Sequence, residues 1–178
     1  MEEELLVLVD AEDKEVGLME KMEVHRCGLL HRAFSVLLYN EQGEMLLQQR
    51  ALLKYHGGGL WTNACCSHPK PGEKLEDAVN RRLKEELGLT SDCRKIHHFI
   101  YRAELDNGLI EHEFDYIFVG LAKDTPQINE EEVADWKFVN VGLLKKDIQN
   151  YPQHYTPWFK LIMEQMANIP DIDLSFLN

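Results

Sequence analysis

The chain has 178 residues, of which 44% are hydrophobic and 28% are charged, and its formal net charge is −12. This length and composition are typical of one globular domain over residues 1–178, and the acidic balance argues against nucleic acid as a partner. No apolar run approaches the ~20 residues of a membrane span, and the start Met1–Glu4 is acidic where a signal peptide is basic, so a cytoplasmic protein without a membrane partner is expected.

The first predicted elements are strands. Leu5–Val9 is a short apolar run, and two β-rich runs, Ala33–Tyr39 and Glu44–Gln49, flank the turn sequence at 40–43 and predict a hairpin. Leu53–Gly59 ends in three consecutive glycines and is expected to be a loop. Glycine lets a backbone come close to a ligand or a metal, so this loop is a candidate for such an approach.

The middle of the chain predicts a helix and a second hairpin. Apolar residues recur at spacings of three and four over Lys74–Leu87, which predicts a helix, and Gly88 suits its C-terminal end. Two further β-rich runs, Phe99–Glu104 and Ile110–Val119, flank the turn signal Asn107–Gly108. These runs are expected to pair as antiparallel strands.

The last third of the chain predicts a strand and two helices. Trp136–Val141 is expected to be a strand, and Leu143–Ile148 a short helix. Thr156, followed by Pro157, is typical of the start of a helix that continues to about Ala167. Strands and helices are interspersed and several strands are joined by hairpins, so the predicted fold class is mixed α/β (α+β), with a mixed sheet packed between helices.

Three histidines and two glutamates are candidate metal ligands. Glu111 and Glu113 are two residues apart on a predicted strand, so both side chains leave the same face. With His25, His31 and His68 they form a donor set suited to Zn²⁺, Mn²⁺ or a similar divalent ion. The alternative is that the histidines, three of eight in the chain, are ordinary surface or core residues and that the glutamates only solvate a face.

The adjacent cysteines offer a candidate thiol. The four cysteines of the chain show no metal-type or redox-type spacing, and thiols are expected rather than disulfides. Cys65 and Cys66 would point to opposite sides of an extended segment, so at most one faces a site. A thiol near His68 and a cation could act in proton transfer, whereas a buried cysteine is otherwise a small hydrophobic residue. Spacing alone leaves both interpretations open.

Charged residues on the predicted helix suggest a phosphate site. Arg82 and Glu86 are four residues apart and share one face. They form either a solvated ion pair of little energetic value, or a site in which Glu86 binds Mg²⁺ and Arg82 contacts the oxygens of a phosphorylated ligand. Lys21, Arg50 and Lys54 could complete such a cluster of cations.

Two further features stay open at this level. Trp158, in the first turn of the last predicted helix, is either a packing anchor or an aromatic face for a cation. The acidic stretch Asn129–Asp135 either solvates a loop or has a further role.

Together these residues resemble the type 1 isopentenyl-diphosphate Δ-isomerases, a family with the Nudix fold. The resemblance runs from about Leu5 to Trp158, and its most specific part is Thr62–Pro69. The helix resembles a degraded Nudix box, whose matching residues are Glu73, Arg81, Leu83, Glu85, Glu86, Gly88 and Leu89. Ser67 stands where that box opens with glycine, and Arg82 stands where it has a glutamate.

The resemblance implies a Nudix-like mixed sheet between helices and an isomerase that interconverts isopentenyl and dimethylallyl diphosphate, for isoprenoid biosynthesis, through a carbocation-like intermediate. The implied catalytic residues are Cys66, Glu113, Tyr101 and Trp158. The implied ligands of one divalent ion (Mn²⁺, Mg²⁺ or Zn²⁺) are His25, His31, His68, Glu111 and Glu113. Glu86 is implied to hold a second, diphosphate-bound Mg²⁺, and the implied diphosphate-binding residues are Lys21, Arg50, Lys54 and Arg82.

The implied partner is a small allylic or homoallylic diphosphate, and a monomer or weak dimer is expected. Arg82 in place of a glutamate favours holding a diphosphate over cleaving it, so a Nudix-type diphosphate hydrolase is the second interpretation. A metal-stabilised interaction domain without enzymatic activity is the third. Two departures from the family pattern are a His25–His31 spacing shorter by one residue and the sequence His56–Gly59 in place of an aromatic-Pro-Gly loop.

Overall fold

A computed structural model describes residues 4–169, so Met1–Glu3 of the acidic start lie outside the described residues. Within them, nine strands form one mixed sheet and four α-helices are present. The strands are β1 (Leu5–Val9), β2 (Glu15–Glu20), β3 (His31–Tyr39), β4 (Met45–Arg50), β5 (Trp61–Thr62), β6 (Cys65–Ser67), β7 (Arg94–Glu104), β8 (Ile110–Leu121) and β9 (Val133–Val139). The helices are α1 (Lys21–Cys27), α2 (Leu75–Leu87), α3 (Val141–Asn150) and α4 (Pro157–Asn168).

Strand β3 is the centre of the sheet. It pairs in parallel with β8 along its whole length, from His31 opposite Glu113 to Tyr39 opposite Leu121. Its other edge is shared by β1, β6 and β4, which pair with successive parts of it. Strand β7 continues the sheet beyond β8, and β9 pairs with β4. Strands β6 and β8 therefore lie on opposite sides of β3.

The two faces of the sheet carry separate cores because side chains alternate along each strand. On one face, Phe34 and Leu38 of β3 pack with Leu83 of α2. On the other face, Leu37 of β3 packs with Phe159 of α4. The sheet thus lies between helices, and the predicted fold class is confirmed. No helix in the described part of the chain is both long enough and apolar enough to span a bilayer.

Elements with a clear start or stop signal lie where the sequence predicts them. Strand β1 has the predicted bounds, and α2 begins one residue later than predicted. Gly88 ends α2 with φ 64°, and its N–H donates to the carbonyls of Leu83 and Lys84. Thr156 caps α4, its hydroxyl accepting from the Phe159 N–H at 3.4 Å. Turn residues Asn107 and Gly108 have positive φ and connect β7 to β8.

Other predictions need correction. The first hairpin is wrong in extent, because β3 and β4 pair only at Tyr39 and Met45 while β9 takes the edge of β4. Strand β9 begins three residues before the predicted strand, and α3 begins where that strand was expected to end. Strands β7 and β8 are also longer than predicted.

The hydrophobic patterns of the sequence do not predict β2, α1, β5 or β6. Strands β5 and β6 have only two and three residues, and α1 has seven, so none is long enough for a periodic signal. Local contacts define α1 instead: the Glu20 side chain accepts from the N–H groups of Met22 and Glu23, and Gly28 ends the helix in a left-handed conformation. His25 therefore lies on a helix.

Candidate active site

One pocket of the described chain brings together nearly all of the residues that the sequence predicts for a site. It lies where β6, β8, α2 and the loop after β4 meet. The predicted residues that line it are Lys21, Arg50, Lys54, Cys66, His68, Arg82, Glu86, Tyr101, Glu111, Glu113 and Trp158. The two remaining predicted ligands, His25 and His31, are fully buried beside His68 and Glu111.

Strand register explains how distant residues meet. On β8, Glu113 stands between His31 of β3 on one side and Tyr101 of β7 on the other. Glu111 is two residues earlier on β8, so it lies on the same face as Glu113. The His68 ring joins them because β6, which ends one residue before it, pairs with the opposite edge of β3.

The imidazole end of the pocket, formed by His25, His31, His68 and Glu111, has the donor set of a divalent-cation site. One ligand atom from each of these four residues lies within 4.8 Å of the others. The Nδ1 atoms of His25 and His31 lie 2.7 and 2.9 Å from the carbonyls of Lys21 and Leu29. Because a carbonyl can only accept, each Nδ1 carries the proton, and each Nε2 keeps a lone pair for a metal.

Unsatisfied atoms at this end test the fit of a metal. In the described chain, His25 Nε2 and Glu111 Oε2, which lie 3.5 Å apart, are buried without a hydrogen-bond partner. Buried polar atoms are costly without partners. Burial and the neighbouring His31 hold the pKa of His68 well below its usual value, so this ring stays neutral, as a metal ligand must be. The cluster therefore fits a divalent metal ion.

Glu113 lies beside this cluster and has two polar neighbours. The Tyr101 hydroxyl donates to its Oε2 at 2.8 Å, and His68 Nε2 lies 3.1 Å from its Oε1. Burial alone would raise the pKa of Glu113, but the neighbouring His31 and the hydrogen bond from Tyr101 outweigh burial and lower it. The side chain is thus a carboxylate held in a fixed orientation.

The Cys66 thiol lies on the other side of β3. Its Sγ donates to Asn63 Oδ1 at 3.1 Å and lies 3.3 Å from the Ser35 hydroxyl, which donates to Asp115 at 2.8 Å. Burial and the nearby Asp115 raise the pKa of Cys66 well above its usual value, so the sulfur carries its proton. Cys65 points the other way, as expected, and is fully buried in the core on the α2 side.

The cation end of the pocket comprises Lys54 and Arg82 with the carboxylates that neutralise them. Arg82 donates to Glu86 at 2.6 Å, and its NH2 also lies 3.5 Å from Glu132. Lys54 donates to Glu132 as well. Gln48 donates to the second oxygen of Glu86 at 2.8 Å, which fixes this buried carboxylate toward the pocket.

Lys21 and Arg50 add two further cations. Lys21 lies 2.9 Å from Glu4. Arg50 donates through Nε and NH2 to the carbonyl of His56, at 3.3 and 3.1 Å, and its guanidinium carbon lies 5.1 Å from the Trp158 ring centre. Arg50 therefore connects the cations to the aromatic wall of the pocket.

Sequence reasoning missed His56 as a site residue. Its ring is 5% exposed, its Nε2 lies 3.7 Å from Glu111, and its edge faces the Trp158 ring at a centre distance of 5.4 Å. Burial and Arg50 lower the pKa of His56 to about 3, so the ring is neutral. The only signal was its departure from the aromatic-Pro-Gly pattern of the loop.

Ser35, Asp115 and Glu132 were also missed, since each gains its significance from contacts with residues that are distant in the chain. One of the glycines after His56 has a role within the loop. A Cβ at Gly58 would lie 2.4 Å from the Leu52 carbonyl oxygen, so this glycine permits a close approach within the loop itself.

Comparisons with known proteins agree with this fold. The family model of the NUDIX domain matches residues 29–159, so the chain is a NUDIX domain protein. A MutT protein from Methanosarcina mazei shares the fold with a TM-score of 0.62 and 21% identity, over 78% of this chain and 93% of its own. A protein from Deinococcus radiodurans superposes with a TM-score of 0.68 and 19% identity, over 83% and 90%.

Curated relatives narrow the assignment. Isopentenyl-diphosphate Delta-isomerase 2 from Photorhabdus laumondii is 48% identical over 93% of this chain and 93% of its own length. Isopentenyl-diphosphate Delta-isomerase from Burkholderia multivorans is 48% identical over 94% of this chain and 95% of its own length. The chain belongs to the isopentenyl-diphosphate Delta-isomerase family.

Proposed function

We propose that this chain interconverts isopentenyl diphosphate and dimethylallyl diphosphate, with residues 1–178 acting as one isomerase domain. The observation that carries the proposal is a single pocket with a protonated thiol, Cys66, and a carboxylate, Glu113, at one end and a cluster of cations at the other. The membership of the chain in this family supports the same conclusion.

The reaction needs an acid and a base on the two sides of a short hydrocarbon. One group protonates the terminal alkene carbon and the other removes a proton from the neighbouring methylene, and the two exchange roles in the reverse direction. Cys66 on β6 and Glu113 on β8 lie on opposite sides of β3, paired with Ser35 and His31 respectively, and both side chains line the pocket. The Tyr101 hydroxyl keeps one Glu113 oxygen in position.

The intermediate of this route is a tertiary cation that water would trap. Trp158 is 3% exposed and lines the pocket, so its ring can stabilise a positive charge while excluding water. Its indole N–H has no hydrogen-bond partner among the described residues.

The diphosphate is a handle and not a leaving group. Lys21, Arg50, Lys54 and Arg82 are proposed to bind it, with Glu86 holding a Mg²⁺ ion against its oxygens. Arg82 occupies a position where the Nudix box of a hydrolase has a glutamate. Binding energy from this handle would position the alkene between Cys66 and Glu113.

A divalent ion, Mn²⁺, Mg²⁺ or Zn²⁺, would be held by His25, His31, His68, Glu111 and one oxygen of Glu113. When bound, it would supply positive charge that satisfies the orphaned ligand atoms and stabilises the carboxylate form of its ligands. The substrate partner is a small diphosphate, and the chain is proposed to act as a monomer or weak dimer.

Product analysis by NMR tests the proposal. Purified protein is incubated with isopentenyl diphosphate and either Mg²⁺ or Mn²⁺, and dimethylallyl diphosphate is the expected product. Release of phosphate or isopentenyl monophosphate without the dimethylallyl product would refute isomerisation and favour hydrolysis. A lack of turnover together with a lack of diphosphate binding would favour the metal-stabilised interaction domain.

A further inference from the structure

The acidic turn before β9 contains three consecutive glutamates, but only one of them reaches the pocket. Glu130 and Glu131 are exposed, whereas Glu132 is half-buried and lines the pocket. The backbone fixes this difference. The Glu132 carbonyl accepts from the Ala51 N–H at 3.0 Å, and its own N–H donates to the Asn129 carbonyl at 2.9 Å. Glu132 is therefore held beside the segment that carries Arg50 and Lys54.

The carboxylate of Glu132 contacts two of the cations that the proposed function assigns to the diphosphate. It accepts from Lys54 Nζ and lies 3.5 Å from Arg82 NH2. The Lys54 ammonium lowers the pKa of Glu132 against the opposing effect of burial, so the group is an anion at neutral pH. At this end of the pocket, a protein carboxylate already stands where phosphate oxygens would be bound.

We propose that Glu132 is a further residue of the diphosphate site, an internal competitor whose carboxylate occupies Lys54 and Arg82 until a diphosphate displaces it. The inference rests on the proposed function, because it takes these two cations as the diphosphate-binding residues. A diphosphate carries more charge and more acceptor oxygens than one carboxylate, so it can replace the ion pairs that it breaks. The Glu132 side chain is 26% exposed, which gives it a path to solvent once it is displaced.

Internal competition has a consequence for turnover. Substrate and product carry the same diphosphate, so a carboxylate that weakens the binding of one also speeds the release of the other. Removing the competitor should tighten both complexes and therefore lower KM without raising kcat. A residue that merely oriented Lys54 and Arg82 would have the opposite effect, since its loss would loosen the cations and raise KM.

The test is the affinity of the full chain for inorganic pyrophosphate, measured by calorimetry with EDTA and again with Mg²⁺. Glu132→Gln keeps the size of the side chain and removes its charge, and Glu131→Gln makes the same charge change on the exposed neighbour. We expect Glu132→Gln to bind pyrophosphate about three- to tenfold more tightly than the wild type in both buffers, and Glu131→Gln to match the wild type. Glu132→Ala should change affinity in the same direction, and thermal melts verify that each variant is folded.

Unchanged or weaker binding by Glu132→Gln in EDTA would overturn the inference, and weakening confined to the Mg²⁺ buffer would show a metal ligand instead. Equal tightening by Glu131→Gln would reduce the effect to net charge and overturn it as well. Failure of the proposed function gives a different result. Tighter binding by Glu132→Gln in a protein that does not isomerise supports the competitor and refutes the isomerase, whereas no pyrophosphate binding by the wild type refutes both.

Discussion

The imidazole end and the cation end of the pocket differ in how far their charged and polar groups are already paired. At the imidazole end, ligand atoms converge, and two of them, His25 Nε2 and Glu111 Oε2, are buried without hydrogen-bond partners. At the cation end, Lys54 and Arg82 both have carboxylate partners, and the side chains of Lys54, Arg82 and Glu132 are 20–26% exposed. One end lacks a positive charge, and the other already contains the negative charge that a ligand would bring.

This difference predicts how each end responds to its ligand. A cation at the imidazole end satisfies costly buried atoms, so it should bind tightly and stabilise the fold. An anion at the cation end must replace existing ion pairs in a partly solvated setting, so its binding should be weaker and more sensitive to salt.

The largest effect is expected for the Cys66 thiol, which is proposed to transfer a proton and to bind neither the metal nor the diphosphate. Cys66→Ala should lower kcat by about 10³-fold, as loss of a general acid or base does, and leave pyrophosphate affinity within about twofold. Cys65→Ala is the matched control: it opens a cavity in the α2-side core, so it should lower stability but preserve turnover. A Cys66→Ala protein with wild-type kcat would return this thiol to a packing role.

Removing one imidazole should weaken metal binding without changing pyrophosphate binding. His31→Ala should weaken Mn²⁺ or Zn²⁺ affinity by about 100-fold or more, because a fully buried ligand is removed, and leave pyrophosphate binding in EDTA unchanged. Calorimetric titration of the metal measures this. His98→Ala, at an exposed site on β7, is the control and should bind metal like the wild type. Equal metal affinity in His31→Ala would place the ion elsewhere.

Loss of a cation should have the opposite result, weakening the binding of pyrophosphate but not of the metal. Arg82→Gln should weaken pyrophosphate binding by about 10- to 100-fold, the range for charge-assisted hydrogen bonds, and leave the metal affinity of the imidazole end intact. Arg81→Gln is the neighbouring control, because Arg81 turns to Glu73 at 2.7 Å and does not line the pocket. Similar losses in both variants would mean that the helix contributes only general positive charge.

The loop after β4 carries Lys54 of one end and His56 near the other, so its backbone affects both. Gly58→Ala should lower the free energy of unfolding by about 1–3 kcal/mol, because the new Cβ would lie 2.4 Å from the Leu52 carbonyl oxygen. Gly17→Ala, whose Cβ would meet its nearest atom at 3.9 Å, should cost less than about 0.5 kcal/mol. Denaturant unfolding compares them, and equal costs would contradict the close approach.

The smallest expected effect is a loss of stability at acidic pH. Hydrogen bonds from Arg81 hold the pKa of Glu73 below its ordinary value of 4.5, so the ion pair stabilises the fold above that pH, and this contribution is lost as the pH falls through the lowered pKa. Because solvent screens the pair, the loss should stay below about 1 kcal/mol. Unfolding curves from pH 6 to pH 3 should converge for the wild type and Glu73→Gln. Curves that stay parallel would show that the pair adds nothing.

The sequence was most predictive where local signals decide the structure. Gly88, Thr156 and the Asn107–Gly108 turn define ends and turns through their own backbone preferences, and the structure has them in those roles. The same-face placement of Glu111 and Glu113 follows from the period of a strand alone. Residues that carry the family resemblance, such as Cys66, His68 and Glu86, line the pocket that the structure forms.

What the sequence could not supply depends on pairings between distant segments. Strand β6 has three residues and forms only because β3 offers an edge between β1 and β4. In the sequence, nothing distinguishes Asp115 from other polar strand residues. The sheet brings it within hydrogen-bond distance of Ser35, whose hydroxyl lies beside the Cys66 thiol. Glu132 differs from Glu131 only in which of them the turn directs into the pocket. Such roles arise from register and burial, and neither is encoded in local spacing.

Deuterium incorporation tests most directly the central claim that a thiol and a carboxylate on opposite sides of β3 move the protons. Wild-type protein, isopentenyl diphosphate and Mg²⁺ in D₂O are followed by NMR. We predict deuterium in a methyl group of the dimethylallyl product for the wild type, and no incorporation for Cys66→Ala or Glu113→Gln, although both still bind pyrophosphate. Incorporation at the wild-type rate in either variant would contradict the claim.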